Sequence, residues 1–299
     1  MDALNAIDEE SGSPEQGKAA QRSTWVSVAV NVVLALAQAI AGWLTHSQGL
    51  IADSVHSLSD LASDVVVLLA LRHSRKAADE DHHYGHQRYE NAASLVLGLL
   101  LFVVGVGMIW SAGMKISLPQ PAVAIAPVAL WVALGSLLAK ELLFRYMLSV
   151  AERVRSKLLV ANAWHARSDA ASSFVVAVGI GGNLLGLPLF DPIAAAIVGF
   201  MVAKTGWSFL WEALHDLTDR AATAEETERI RQEILGTPGI LGVHDLRTRR
   251  TGDLLLVDAH LEVEGTLTVE QGHQIAVEAR QRVMDRHPVL NMMTHVDPR

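Results

Sequence analysis

The chain has 299 residues, 51% of them hydrophobic and only 19% charged, with a mean hydropathy of +0.28. That balance is too apolar for an ordinary soluble domain and points to a protein that crosses the membrane several times. The lack of cysteine excludes disulfides and thiolate metal sites. A formal charge of −8 argues against nucleic acid as a partner, whereas thirteen histidines keep imidazole metal chemistry open.

Residues 1–22 are polar, carry no apolar core of a signal peptide, and read as a mobile cytoplasmic tail. Residues 23–215 read as six spans. Trp25 to Thr45 is the first, an uncharged run near the 20 residues, roughly, that a bilayer needs. Gly49 to Leu71 is the second: its first half carries an acidic stripe and its second half, VVVLLAL, belongs in lipid. A charged loop over 72–90 leads to a third span, Asn91 to Ala112. Pro119 and Pro121 mark a turn before the fourth, Ala122 to Phe144, and Arg145 to Lys157 is basic and polar. The fifth runs from Leu158 to Leu185, GLPLFDP turns the chain, and Pro192 to Leu214 is the sixth.

Basic residues set the orientation. Lys18, Arg22, Arg72, Arg75, Lys76, Arg88, Arg153, Arg155, Lys157 and Arg220 fall on one side of these spans, and only Lys115 on the other. Both termini are therefore expected in the cytoplasm. Residues 216–299 have the composition of a small soluble domain. Thr223-x-x-Glu226 and Thr268-x-x-Gln271 are capping boxes that open two helices, and Leu241–Arg249, Leu254–Glu262 and Leu290–Val296 read as strands. The order αββαβ predicts an α+β layer with helices on one sheet face.

The chemistry begins in Ala52–Asp64, ADSVHSLSDLASD. Spacings of 3, 4 and 4 put Asp53, His56, Asp60 and Asp64 on one helical stripe. WHARSDAASS repeats the central pair as His165 and Asp169. Ionisable groups within a bilayer cost roughly 2.5–3.5 kcal/mol each on insertion scales, so they face a cavity and mark function. Two His-x-x-x-Asp turns supply four N and O donors, the tetrahedron that Zn²⁺ accepts. Asp53 and Asp64 continue the stripe, and each could instead line a water path or pair with a basic group. The loop ADEDHHYGHQR gathers Asp79, Asp81, His82, His83 and His86 into a weak cation site or a solvated charge run. In the soluble domain His244, His260, His273, His295 and Asp297 fall on three strands and a helix, with His295 and Asp297 pointing the same way.

Taken together, GLIADSVHSLSD, HHYGH, HARSD, FDPIAAAIVG, and GVHDLRTR followed by His260, His273 and HVDP resemble the cation diffusion facilitator family. The resemblance is to its YiiP-type bacterial zinc exporters and covers nearly the whole chain after the tail. It implies an α-helical membrane protein of the bacterial inner membrane: a homodimer of six-helix subunits with a metallochaperone-like cytoplasmic domain. Such a protein is not an enzyme; it exchanges a divalent cation, zinc before others, for protons. Carried over by motif, the transport site is His56, Asp60, His165 and Asp169, and the loop site is Asp79, His82 and His86. The cytoplasmic two-metal site is His244, His260, His273, His295 and Asp297. Arg88 and Asp219 resemble the charge pair that ties the dimer near the membrane. YiiP-type members carry aspartate where His56 stands, so the two-His, two-Asp set resembles the zinc-selective eukaryotic members. An intramembrane zinc hydrolase is the rival from another class, but four protein ligands leave no position for a reactive water and His-Glu-x-x-His is absent. A cation channel with a metal-sensing domain is the third reading.

Overall fold

The computed structural model describes residues 14–74, 76, 78–118, 125–154, 157–252 and 254–299; at 14–21, 64, 67–68, 71–72, 154, 157–159, 161–162 and 165 it describes the backbone alone. Six long helices come first: α1 (Pro14–Thr45), α2 (Gln48–Ser74), α3 (Arg88–Ser117), α4 (Val128–Val154), α5 (Lys157–Leu184) and α6 (Phe190–Leu217). At ~1.5 Å per residue each exceeds the roughly 30 Å of a hydrocarbon core, so their ends continue into polar sequence. Trp25 and Trp43, both exposed, stand ~27 Å apart along α1 on that rise, about the separation of the two interfaces where tryptophan anchors a span.

By length and composition Arg22–Thr45, Arg88–Ser117 and Phe190–Leu217 are apolar enough to cross a membrane. The other three long helices hold ionisable groups within their apolar stretches: Asp53, His56 and Asp60 on α2, Lys140 on α4, Asp169 on α5. Two stretches expected as tail or loop are helical. α1 already begins at Pro14, where a proline at the first position needs no amide hydrogen. α4 continues past Arg145 and Arg153 to Val154, since arginine and glutamate favour helix once the chain has left lipid. Pro119, Pro121 and the expected start of the fourth span at 122 lie outside the described residues.

The chain falls into two compact units, Met1–Leu69 with Val96–Phe209, and Ala70–Leu95 with Leu210–Arg299. In the first, α4 packs along both α1 and α5, with Leu143, Phe144 and Met147 against Ala163, Ala166, Val26 and Val30. α3 and α6 meet through small residues: a methyl group on Gly105 or Gly206 would strike the backbone of Ala203 or Phe102. Lipid supplies no hydrophobic drive between helices, so such close backbone approach is what holds them. Asp191, in the first turn of α6, caps α2. Its carboxylate accepts from the Ser47 hydroxyl at 2.6 Å and from the amides of Gln48 and Gly49 at 2.8 and 3.2 Å, satisfying donors that a helix start leaves orphaned.

The second unit contains α7 (Ala224–Leu235), β1 (Gly242–Thr251), β2 (Leu254–Val263), α8 (Val269–Arg286) and β3 (Val289–Pro298), the αββαβ order expected. The sheet runs β1-β2-β3, antiparallel then parallel. Along β2 burial alternates strictly. Leu255, Val257, Ala259, Leu261 and Val263 face the core with Ile230 and Ile234 of α7 and Ala276, Ala279 and Val283 of α8. The other face stays open and carries His260.

Both capping boxes form. In the first, Glu226 accepts from the Thr223 amide at 2.8 Å and from Arg250 at 2.6 Å, and these bonds hold its carboxyl down to about 2 from an ordinary 4.5. Glu233 is also lowered: burial pushes it up, but the Arg282 and Arg286 guanidiniums outweigh that. A depressed carboxyl stabilises fully above its unfolded pKa and loses that contribution as pH falls through the folded one. Stability of this unit should therefore decline between pH 4.5 and about 2. Glu226→Gln, which keeps the box geometry, should flatten that slope in melting curves of the full protein across the window.

Candidate metal centres

The middle of the α2 stripe and one member of the α5 pair meet inside the first unit. His56, Asp60 and Asp169 each offer a ligand atom, all within 4.8 Å of one another. His56 Nδ1 lies 3.6 Å from Asp60 Oδ2, one turn along the helix, and His56 is buried. The fourth expected donor, His165, is one turn before Asp169 on α5, and its side chain lies outside the described residues, as does that of Asp64. Three of the four carried-over residues are thus together, one imidazole and one carboxylate from α2 with a carboxylate from α5. Asp53, although on the same stripe, does not join them. It turns to Lys140 of α4, with Oδ1 3.4 Å from Nζ, and to Gln38, Ser172 and Ser173. Sequence reasoning missed Lys140, yet the signal was present: a lysine within LGSLLAKELLF breaks the same rule that singled out Asp53.

The loop group forms within the second unit. Asp79 Oδ1 lies 3.3 Å from His82 Nδ1, and its Oδ2 lies 3.4 Å from His86 Nε2. The imidazoles of His82 and His86 have centroids 4.3 Å apart, and His73 and Tyr89 pack edge to face beside them. The turn depends on Gly85, whose φ of +83° suits glycine and lets its amide reach the His82 carbonyl at 3.0 Å. Lys76, at 2.5 Å, and the His82 amide hold the Asp79 carboxyl well below the usual carboxylate range. Asp81 and His83 are exposed and outside this group.

The group on the three-stranded sheet follows from strand register. His244 pairs with His260 and His260 with His295, so one row of imidazoles crosses all three strands on the open face, with centroids 5.0 and 4.8 Å apart. Asp297, two residues beyond His295 and on the same side, bridges the row. Its Oδ2 lies 2.9 Å from His260 Nδ1 and 3.2 Å from His244 Nε2, and its Oδ1 3.3 Å from His295 Nε2. Asp245, which the sequence did not single out, bulges β1 with a φ of +46° and lies 3.7 Å from His244 Nδ1. His273 is not among the residues gathered here. It is exposed on α8, which packs on the sheet face opposite the histidine row. Arg88 and Asp219 pair within the chain at 2.5 Å, and Arg249 adds a longer contact of 3.8 Å to Asp219.

Comparison with known proteins matches both parts of the chain. Residues 24–218 match the model of the cation efflux transmembrane domain, and residues 222–299 that of the cation efflux protein cytoplasmic domain. Metal tolerance protein C1 of Arabidopsis thaliana is 33% identical over 94% of this chain, which spans 63% of that relative's length. The manganese efflux system protein MneS of Bacillus subtilis is 33% identical over 94% of this chain and 96% of its own. The cation-efflux pump FieF of Pectobacterium carotovorum is 32% identical over 91% and 90%.

Proposed function

Because the chain belongs to the cation efflux family, a family of membrane transporters and not of enzymes, we propose that it exports a divalent cation, zinc before others, in exchange for protons. The observation that carries this reading is the convergence of His56, Asp60 and Asp169 within the helical unit. With His165 they make a set of two nitrogens and two oxygens, which suits Zn²⁺. Mn²⁺ favours all-oxygen sets, so the ligand chemistry points away from the ion for which the Bacillus relative is named.

Zn²⁺ enters from the cytoplasm, sheds water and takes these donors. Binding needs neutral imidazole and ionised carboxylate, so metal and protons compete for one set of atoms, and protons arriving from the far side expel the metal. Alternating access is a rocking of helices about this fixed point. The basic residues support an orientation with both termini cytoplasmic, and the membrane is read, from the resemblance to bacterial exporters, as a bacterial inner membrane. The Asp79–His82–His86 group and the histidine row with Asp297 are further metal sites. The open sheet face, on which Met293 is exposed, is where a second copy docks to form a homodimer, with zinc tightening it. In that assembly Arg88 and Asp219 brace the dimer near the membrane.

The test is flux in reconstituted liposomes under an imposed pH gradient, with Zn²⁺, Cd²⁺, Mn²⁺ and Fe²⁺ as competing cargo. Saturable zinc uptake with stoichiometric proton counterflow is expected. Zinc flux indifferent to the gradient would support a channel instead.

A further inference from the structure

A second polar cluster lies buried in the same unit as the His56–Asp60–Asp169 group. Asp53 is fully buried. Its Oδ1 accepts from the Ser172 hydroxyl at 2.5 Å, and its Oδ2 accepts from the Gln38 amide and the Ser173 hydroxyl, each at 2.5 Å. Lys140, 2% exposed, approaches Asp53 at 3.4 Å and reaches two further groups at 3.3 Å: the Ser57 hydroxyl and the backbone carbonyl of Asp169. The Ser172 hydroxyl lies 2.7 Å from that same carbonyl. Residues of α1, α2, α4 and α5 thus converge on one charge pair.

Stability alone does not call for such a pair, since an apolar replacement of similar volume is often as stable. Its contacts suggest what it does. Lys140 donates to the carbonyl of the residue that brings the Asp169 carboxylate, the Ser172 hydroxyl lies against that carbonyl, and Ser57 follows His56 in the chain. We infer that Asp53 and Lys140 are positioning residues for the intramembrane metal group. Anchored by Asp53, the ammonium fixes the α5 turn bearing Asp169 against the α2 turn bearing His56 and Asp60. The spacing so fixed suits a small ion with ligand bonds of about 2.0–2.2 Å. This rests on reading His56, Asp60 and Asp169 as the transport site.

The test uses the full protein in liposomes and measures Zn²⁺ uptake and melting for Asp53→Asn, Lys140→Met, the double variant and Ser172→Ala. Each single charge variant leaves one buried charge unpaired and melts lower than wild type. The double variant removes both charges, and the asparagine amide can donate to Gln38 Oε1, which has no partner among the described residues. It is expected to melt near wild type, yet its half-saturating zinc concentration rises about tenfold while its maximal rate changes little, the size seen when groups that orient metal ligands are lost. A double variant with wild-type half-saturation would show that the pair only neutralises itself, and would overturn the inference. If the double variant does not fold, Ser172→Ala decides: a raised half-saturation supports the inference and an unchanged one overturns it. Asp169→Ala in the same assay keeps the two readings apart. If it still transports zinc, the site assignment fails; if it is inactive while the double variant behaves as wild type, only the positioning role fails.

Discussion

Asp169→Ala is expected to abolish proton-coupled zinc uptake while leaving the protein folded. The carboxylate is the donor that α5 brings to His56 and Asp60, and no carboxylate stands nearby on α5 to replace it. Loss of a group that merely orients a ligand commonly costs 10–100-fold in affinity or activity, so loss of the ligand itself should exceed about 100-fold. The backbone carbonyl of residue 169 keeps its bond from Lys140, so the helix turn survives the change. Initial uptake rates, with melting and elution volume as folding controls, check this. Transport within a few-fold of wild type would remove Asp169 from the ligand set.

His56→Asp is expected to weaken discrimination between Zn²⁺ and Cd²⁺ without stopping transport. An imidazole gives one nitrogen along one direction, whereas a carboxylate can bind through both oxygens and raise the coordination number, which admits a larger ion. The zinc-to-cadmium preference should fall roughly tenfold, equivalent to ~1.4 kcal/mol. Competitive uptake with both metals reads the ratio directly. An unchanged ratio would mean that selectivity is set elsewhere.

The αββαβ order and both capping boxes were legible because the signals behind them come from neighbours two to four residues apart. The α2 stripe was legible for the same reason. His73, Gln38 and Lys140 were not, although Lys140 breaks the hydropathy of α4. What it pairs with is 87 residues away in the chain, and local spacing does not report such distances. The histidine row shows the division well. Sequence put His244, His260 and His295 on three strands, but only the register brought them side by side. His273 is the converse case: similar chemistry on α8, carried by packing to the other side of the sheet.

By itself, then, the sequence determined which side chains could bind a metal and on which local face each stands, because helical and strand periodicity are properties of the backbone. Tertiary structure decided which of them share a point in space. It sent Asp53 to Lys140 and left Asp60 with Asp169, a choice governed by which charges the packed helices can bring together away from water.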